Sequence, residues 1–307
     1  MKQMSRVSVK RDDPLYKYAI KYMEDAWGTI PNRFPGCQPV SIEYKHFDLL
    51  RKNDYVVCEK TDGVRFMLLA FMYGNHKVSV LVNRALDVFL CKLTFRRTFY
   101  EGTILEGELY KDTFFIYDCL KESGVIVGHK NFIDRLEYCE KAAKKLLALK
   151  ADTTKIQVKK FHLMCDYEYF LNEYMPTVTQ EVDGLIFTPI QCPVKIGTHE
   201  TMFKWKPRDK NTIDFKLKMV DNAWRMYVQE KGELVFESII PEDKFDCSWL
   251  RENMIVECEY MTNDIPMWWR PIKERTDKTY PNNRRTFYRT LVNIKEDIKI
   301  TDFLRCI

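Results

Sequence analysis

The stretch Cys58-Glu59-Lys60-Thr61-Asp62-Gly63-Val64-Arg65-Phe66 decides the fold that this sequence predicts. The β-branched and aromatic residues just before it, Tyr55–Val57, are typical of a strand, and the apolar residues 66–71 are typical of a second strand that is buried on both faces. Asp-Gly between them is a turn signal, because glycine adopts a positive φ without steric cost. We therefore predict a β-hairpin that carries Lys60.

The nine residues leave two interpretations of Lys60 open. A lysine beside a tight turn is usually a solvated surface residue. Alternatively, Lys60 is a nucleophile; a lysine amine has an ordinary pKa of about 10.4 and is mostly protonated near neutral pH. A neighbouring cation such as Arg65, or a metal ion, would lower that pKa and expose the lone pair. Lys60 and Asp62 are two residues apart, so an extended backbone would point both side chains the same way.

The composition limits the class of protein. A chain of 307 residues suggests two domains or one large one, and 46% hydrophobic residues are ample for a packed core. The sequence has no apolar run long enough to predict a membrane span. Its first twelve residues also lack the apolar segment that a secretory signal requires. The net charge of +5 is compatible with a polyanionic partner without proving one.

The cysteines and histidines do not predict a zinc site. The ten cysteines are spread singly, without a Cys-x-x-Cys pair, and none of the five histidines is at ligand spacing from another. In a chain of this size we expect buried thiols in a reducing, intracellular compartment.

Outside the central stretch the pattern predicts mixed helices and strands. A helix should begin at Asp13-Pro14, and an amphipathic helix should span 131–150 with Lys141, Lys144 and Lys145 on a solvated face, RNA contact there being the less favoured alternative. Strands are predicted at 78–82, 103–110, 113–118, 213–219, 224–228, 233–239 and 254–260. The last four, separated by turn residues, are typical of a small antiparallel barrel.

Six short motifs follow one another along the chain. They are Lys60-Thr61-Asp62-Gly63-Val64-Arg65, Leu105-Glu106-Gly107-Glu108-Leu109, Phe114-Phe115-Ile116-Tyr117-Asp118, Glu181-Val182-Asp183-Gly184-Leu185-Ile186, Phe203-Lys204-Trp205-Lys206-Pro207 and Arg275-Thr276-Asp277-Lys278. In this order the chain resembles the covalent nucleotidyltransferases, the superfamily of the mRNA guanylyltransferases and the DNA and RNA ligases. The resemblance spans the chain from about Val40 to Ile294.

Details of the last motifs resemble the capping branch of that superfamily. The fifth motif is followed by Asn211-Thr212-Ile213-Asp214, and the sixth by Pro281-Asn282. Together with the compactness of the chain, the run Pro39–Glu43 ahead of the lysine motif is most similar to the stand-alone guanylyltransferases of large DNA viruses. The resemblance implies an α+β fold with two domains. One is an ATP-grasp-like nucleotidyltransferase domain of mostly antiparallel sheets with helices, residues 1–207 joined by 290–307; the other is an OB-fold β-barrel, residues 208–289.

The resemblance implies a two-step reaction. Lys60 would attack the α-phosphate of GTP, form a Lys–GMP intermediate and expel pyrophosphate; the 5′-diphosphate end of RNA would then accept the GMP and become capped. The residues implied in nucleotide binding are Arg65, Arg84, Glu108, Phe114, Lys159, Asp183, Lys204, Lys206, Arg275, Asp277 and Lys278.

Individual roles follow from the resemblance. Arg65 would hold the ribose or the RNA end, Arg84 and Glu108 the ribose and phosphate region, and Phe114 would stack on guanine, whose edge Lys159 would read. Asp183 and Glu108 would bind a divalent cation, Mg²⁺ or Mn²⁺. The remaining cations would contact phosphate: Lys204 and Lys206 the α-phosphate, and Arg275 and Lys278, supported by Asp277, the leaving pyrophosphate.

Plainer interpretations remain beside these roles. Glu106 and Glu108 could form a solvent-facing stripe, with function favoured for Glu108 and left undecided for Glu106, and Phe114 could be core. Lys204 and Lys206 could be charges on an edge strand. Trp268 and Trp269 are predicted to pack in a core rather than to contact RNA.

The alternative functions are an ATP-dependent RNA or DNA ligase and an inactive nucleic-acid-binding relative. For the capping function we expect a monomer without a membrane anchor, located in the nucleus or in a cytoplasmic viral factory. The Cys-x5-Arg spacing occurs once, from Cys91 to Arg97, no glycine-rich motif for S-adenosylmethionine occurs, and about 300 residues leave no room for further domains of ordinary size. We therefore expect the RNA triphosphatase and the cap methyltransferase to be separate chains.

Overall fold

The computed structural model describes residues 7–28, 34–147, 154–276 and 278–307. The spatial contacts between residues divide the chain into two compact units. Unit 1 comprises Met1–Val40, Asp48–Lys204 and Cys306–Ile307, and unit 2 comprises Ser41–Phe47 and Trp205–Arg305. The domain boundaries drawn from the sequence stay a prediction.

In its described ranges, the chain has five α-helices and fifteen strands up to Trp205. The α-helices of the described chain are α1 (Pro14–Trp27), α2 (Phe47–Lys52), α3 (Phe132–Ala143), α4 (Tyr167–Tyr169) and α5 (Arg284–Glu296). The strands up to the end of unit 1 are β1 (Ser8–Val9), β2 (Cys37–Ser41), β3 (Tyr55–Thr61), β4 (Val64–Tyr73), β5 (His76–Asn83), β6 (Val88–Leu90), β7 (Thr94–Phe95), β8 (Thr103–Tyr110), β9 (Thr113–Glu122), β10 (Val125–Ile126), β11 (Leu146–Leu147), β12 (Lys155–Val158), β13 (His162–Leu163), β14 (Val182–Pro189) and β15 (Gly197–Trp205).

Short helical turns complete the chain. The 3₁₀ turns are Tyr44–His46, Arg97–Glu101, Met164–Asp166, Met175–Thr177, Arg208–Lys210 and Ile300–Cys306, and Phe170–Tyr174 forms a π-helical turn.

Two sheets make up most of unit 1. The larger has the strand order β1-β6-β5-β4-β8-β9-β10, with β12 added in parallel to β9, and the smaller has the order β13-β3-β14-β15-β2. The predicted hairpin at Lys60 is therefore wrong, because β3 pairs with β13 and β14 in the smaller sheet whereas β4 pairs with β5 and β8 in the larger. The chain passes from one sheet to the other at Asp62-Gly63.

Gly63 is needed for a reason other than the predicted one. Its φ is not among the positive values in the chain. Instead, a Cβ atom at this position would lie 2.7 Å from the Leu109 carbonyl oxygen and 2.9 Å from Cγ of Glu108. The glycine thus permits the close approach of β8 at the point where the chain changes sheets.

The larger sheet is buried on both faces, as the apolar run 66–71 predicts. Phe66, Leu68 and Ala70 face one apolar cluster, to which α3 contributes Cys139 and Ala142. Met67, Leu69 and Phe71 face a second cluster with Ala19 and Met23 of α1. Burying a large apolar side chain stabilises the fold by about 1.5–3 kcal/mol, so β4 is a major source of stability.

The helix predicted at 131–150 is shorter in the structure. Asn131 caps it by accepting a hydrogen bond from the Asp134 amide at 2.9 Å, and α3 ends at Ala143. Residues 148–150 lie outside the described residues. Lys141 and Lys144 are exposed as predicted, but Lys145 forms an ion pair with Glu122 and does not belong to a solvated face.

Unit 2 contains an antiparallel sheet of the OB-like kind predicted for the C-terminal part. Its strands are β16 (Thr212–Val220), β17 (Ala223–Glu230), β18 (Glu233–Ile239), β19 (Ile255–Met261) and β20 (Trp268–Glu274), in the order β18-β17-β16-β19-β20. Trp268 and Trp269 are buried in its core, and the Trp269 ring lies 5.4 Å from Phe215 and 5.8 Å from Phe287. The predicted packing of both tryptophans and the α+β fold class are confirmed.

All ten cysteines are free thiols. Six of them are buried, three are half-buried and Cys165 is exposed, so the prediction of buried thiols holds for most positions. Within the described parts of the chain, no helix combines the length and apolar character needed to cross a membrane.

Candidate active site

Lys60 lies near the end of β3 and is paired with Asp183. The Lys60 Nζ donates a hydrogen bond to Asp183 Oδ1 at 2.8 Å, and the lysine side chain is 23% exposed. Across the strands, Gly184 is opposite Lys60 and Val182 is opposite Thr61, so Asp183 is the extra residue of a β-bulge. A bulge redirects a side chain out of the regular alternation, and here it directs the carboxylate to the lysine.

Glu108 is the second carboxylate near Lys60. The Gly63 amide donates to Glu108 Oε1 at 3.3 Å. Burial raises the pKa of Glu108, while the positive charges of Lys60 and Lys159 act in the opposite direction. Both carboxylates predicted to bind a cation, Asp183 and Glu108, are thus brought to the same lysine.

Arg65 belongs to a second, more deeply buried cluster. Its guanidinium pairs with Glu106, and the Tyr117 hydroxyl donates to Glu106 Oε1 at 3.2 Å. Burial disfavours the charged guanidinium, but Glu106 more than compensates and the pKa of Arg65 is raised. Glu106, left undecided from the sequence, is the counter-ion of Arg65.

Two further contacts fix the surroundings of Arg65. A Cβ at Gly36 would lie 2.5 Å from Arg65 Nη2, so a larger residue there would require the Arg65 side chain to shift. Arg84 follows β5 and donates to Gln38 Oε1 at 3.3 Å; burial and the nearby charge of Arg65 lower the pKa of Arg84. The predicted residues Arg65 and Arg84 are therefore close to one another.

A polar cavity of about 350 Å³ opens beside Lys159 in unit 1. The Lys159 Nζ is buried and donates to the Glu59 carbonyl oxygen at 2.6 Å. Phe115 of β9 and Gln157 of β12 contribute to the wall. The cavity wall thus combines the ring of Phe115 with the ammonium group of Lys159.

The structure places Phe114, predicted to contact guanine, in the apolar core. Phe114 is fully buried in the apolar cluster that includes Leu109 and Ile116. Successive side chains of a strand point to opposite faces, so Phe115, not Phe114, lines the cavity. The plainer interpretation of Phe114 as a core residue is correct.

The other predicted phosphate-binding residues are divided between the units. Lys204 lies on β15, whose neighbour in the sheet is β14, while Lys206, Arg275 and Lys278 belong to unit 2. Asp277 lies outside the described residues.

Within unit 2, Asp214 holds both predicted cations. Arg275 Nη1 lies 2.8 Å from Asp214 Oδ1 and 3.1 Å from its Oδ2, and Lys278 Nζ lies 3.5 Å from Oδ2. Burial raises the pKa of Asp214, and Arg275 acts against that shift. The side chain that orients Arg275 and Lys278 is thus the aspartate that follows the fifth motif.

The two carboxylates at Lys60 fit a magnesium-type cation. Among the described ranges, no group of three or more His, Cys, Asp or Glu residues is arranged to hold a metal ion. Mg²⁺ is commonly bound through one or two carboxylates, with substrate phosphates and water as the other ligands. Asp183 and Glu108 supply that number of ligands, so the donor set suits a cation that arrives with a nucleotide.

Several residues of the site were missed from the sequence. Glu59, Tyr174 and Gln180 are joined by hydrogen bonds at the cavity. The only available signal was that Glu59 directly precedes the first motif. Tyr174 and Gln180 lie outside every motif, and only the tertiary structure brings them to the cavity.

Comparisons with known proteins identify the family of this chain. Residues 4–208 match the family described as mRNA capping enzyme, catalytic domain, and residues 210–304 match mRNA capping enzyme, C-terminal domain. The mRNA-capping enzyme subunit alpha of Schizosaccharomyces pombe is 28% identical over 91% of this chain and 81% of its own length.

Other relatives are matched over a smaller share of their length. The mRNA-capping enzyme subunit alpha of Neurospora crassa is 32% identical over 61% of this chain and 54% of its own. The mRNA-capping enzyme of Danio rerio is 29% identical over 81% of this chain, which spans only 45% of that protein. A solved structure of mycobacterial DNA ligase D complexed with ATP and MES has a TM-score of 0.43 at 12% identity, covering 80% of this chain and 96% of that one. A score this low does not argue for a ligase.

Proposed function

The chain belongs to the mRNA capping enzyme family and is an mRNA guanylyltransferase, and we propose that it works through a covalent Lys60–GMP intermediate. The observation that carries the proposal is the contact of 2.8 Å between Lys60 and Asp183, with Glu108 beside them and the purine-sized cavity adjoining Lys159. Asp183 orients the lysine, and the cavity lined by the preceding residue, Glu59, is large enough for the base of a nucleotide.

The first step forms a phosphorus–nitrogen bond. The neutral amine of Lys60 attacks the α-phosphorus of GTP, the bond from that phosphorus to the oxygen that bridges to the β-phosphate breaks, and pyrophosphate leaves with the bonding electrons. Lys60 must first lose a proton, and Asp183, its hydrogen-bond acceptor, passes that proton towards solvent or the leaving group. Phosphoryl transfer depends mainly on alignment and charge neutralisation, which the surrounding cations provide.

The second step reverses the chemistry on a different acceptor. A terminal phosphate oxygen of 5′-diphosphate RNA attacks the same phosphorus, the phosphorus–nitrogen bond breaks, and Lys60 regains its proton. A divalent cation held by Asp183 and Glu108 would neutralise phosphate charge in both steps. Arg65 and Arg84 hold the ribose or the RNA end, Lys204 and Lys206 contact the α-phosphate, and Arg275 and Lys278 orient the pyrophosphate.

The proposal extends to partner chains. The S. pombe relative is called a subunit alpha, which supports an enzyme that acts together with other chains. We infer that a separate RNA triphosphatase supplies the diphosphate end and that a separate methyltransferase modifies the cap. The relatives reported above come from fungi and animals, so the particular similarity to viral enzymes stays a prediction, as do the monomeric state and a nuclear or viral-factory location.

The experiment that tests the proposal is covalent labelling. The purified chain is incubated with Mg²⁺ and with GTP or ATP carrying a labelled α-phosphate, then denatured. We expect label on the protein with GTP only, released by pyrophosphate and transferred to 5′-diphosphate RNA. Label with ATP only would support a ligase, and no label with either nucleotide would support the inactive relative.

A further inference from the structure

The wall of the cavity contains a buried ionic network that the reaction steps above do not use. The Glu59 side chain is 1% exposed, and its Oε1 lies 3.8 Å from Lys159 Nζ. Gln180 Nε2 donates to Glu59 Oε1 at 3.0 Å, and the Tyr174 hydroxyl donates to Oε2 at 3.3 Å. A buried carboxylate with this many partners has a defined orientation, because leaving any of them unpaired costs free energy.

The network determines where the Lys159 ammonium lies. Its Nζ is held on one side by the Glu59 carbonyl oxygen at 2.6 Å and on another by the Glu59 carboxylate. An ammonium group has three donor hydrogens and no acceptor, so a further donor remains for a ligand. Since Glu59 directly precedes Lys60, the orientation of Lys159 is tied to the backbone that carries the nucleophile.

A cation at this position distinguishes the two common purines. Guanine presents O6 and N7, both acceptors, whereas adenine presents a donor, the N6 amino group, in place of O6. An ammonium that is held in place can donate to O6 of guanine but meets a donor in adenine. A mobile ammonium would move away from the adenine amino group and discriminate less.

Tyr174 reaches the network from an unusual backbone segment. It ends the π-helical turn Phe170–Tyr174, and its ring lies 4.5 Å from that of His162. Turns of this type are rare and occur frequently at functional sites. The turn places the hydroxyl at Glu59, which lies 115 residues earlier in the chain.

We propose that Glu59, supported by Tyr174 and Gln180, is a positioning residue that sets the preference for GTP over ATP by holding Lys159 in place. The inference rests on the proposed function, because it concerns the nucleotide of the same labelling reaction. It assigns Glu59 no part in the transfer of the phosphoryl group.

The test compares nucleotides in the Glu59→Gln variant. This change keeps the size of the side chain and removes its charge. We expect the KM for GTP in the labelling reaction to rise about tenfold, which corresponds to about 1.4 kcal/mol, with little change in kcat. The preference for GTP over ATP should fall by a similar factor.

A guanine analogue separates positioning from general damage. The triphosphate of 2-aminopurine riboside lacks O6, so the substitution should leave its KM unchanged. Equal losses with GTP and with the analogue, or an unchanged preference for GTP over ATP, would overturn the proposal. Glu168→Gln, an exposed glutamate in α4, is the matched control and should behave as the wild type.

A second variant keeps the test decisive if Glu59→Gln does not fold. Tyr174→Phe removes one hydroxyl and should raise the KM for GTP in the same direction by a smaller factor, again without affecting the analogue. Wild-type protein that accepts no label from GTP would refute the proposed function itself. Normal wild-type labelling with unaltered discrimination in the folded variants would refute only this inference.

Discussion

Two ion pairs in unit 1 have similar composition and different surroundings. Lys60 is paired with Asp183 by one hydrogen bond of 2.8 Å and its side chain is 23% exposed. Arg135 is paired with Asp118 by two bonds of 2.7 and 3.0 Å, and its side chain is only 2% exposed. The guanidinium also donates to two backbone carbonyls, at 2.7 and 2.8 Å.

The difference shows how a pair that stabilises a fold differs from a pair that reacts. Arg135 uses four of its five N–H donors on fixed acceptors, and an arginine does not lose its proton, so the pair is suited to holding the fold together. Lys60 is partly accessible, and a lysine can be deprotonated when its environment favours it. Substitution of the Arg135 pair should therefore affect stability first, and substitution of the Lys60 pair should affect activity first.

The sharpest test of the comparison is Lys60→Arg. The variant keeps the positive charge and the partner Asp183, but a guanidinium remains protonated and cannot attack phosphorus. We expect labelling by GTP to fall below detection while the melting temperature is close to that of the wild type. Denaturing electrophoresis after incubation with α-labelled GTP measures the first quantity, and circular dichroism the second. Label on the arginine variant would contradict the assignment of the nucleophile.

The converse test is Asp118→Ala. It leaves Arg135 buried without its carboxylate, and breaking a buried pair in this way costs about 3–5 kcal/mol. Urea unfolding measures the loss, with Glu137→Ala, an exposed position of α3, as the control. A loss below about 1 kcal/mol would place the Arg135 pair in the class of weak surface pairs.

A smaller effect is expected for Asp183→Asn. Asparagine keeps an oxygen that can accept from Lys60 but lacks the charge that attracts a cation. Loss of such an orienting partner typically reduces activity about 10- to 100-fold, and more Mg²⁺ or Mn²⁺ should be needed for half-maximal labelling. Labelling rates measured over a series of metal concentrations test this. An unchanged metal dependence would argue against Asp183 as a cation ligand.

The smallest expected effect is on the pH dependence of stability in the variant Glu108→Gln. Burial raises the pKa of Glu108 despite the opposing charges of Lys60 and Lys159. An acid whose pKa is raised by folding stabilises the fold below its ordinary pKa of about 4.3, and that stabilisation is lost as the pH rises through the folded value. Glu108→Gln does not titrate. The melting temperature of the variant minus that of the wild type should therefore be more positive near pH 8 than near pH 4. The matching change in the free energy of unfolding is roughly that of ionising one buried group.

Thermal unfolding of both proteins across this pH range measures the difference. Glu101→Gln, at an exposed position, is the control and should show no such trend. If the melting temperature of the variant relative to the wild type instead falls as the pH rises, the charged form of Glu108 is the one that stabilises the fold. Glu108 would then behave as a paired carboxylate, as Asp183 does beside Lys60.

The sequence by itself determined the local features of this protein. The continuous apolar run of β4 predicted burial on two faces, Asp13-Pro14 predicted where α1 begins, and the order of six motifs indicated the family. Each of these depends on residues that are neighbours along the chain, whose pattern reflects periodicity and backbone preference. The resemblance carried by those motifs also implied Lys60, Asp183 and Glu108 as site residues before their contacts were known.

Only the tertiary structure decided how those features combine. It placed β3 and β4 in different sheets, turned Phe115 instead of Phe114 towards the cavity, and joined Glu59 to Lys159, 100 residues later in the chain. Strand register and sheet assignment determine which face of a strand is buried, and both depend on pairing between distant segments. The physical cause is that burial and long-range pairing depend on the whole packed chain. The same local pattern is therefore compatible with several strand pairings and several buried faces.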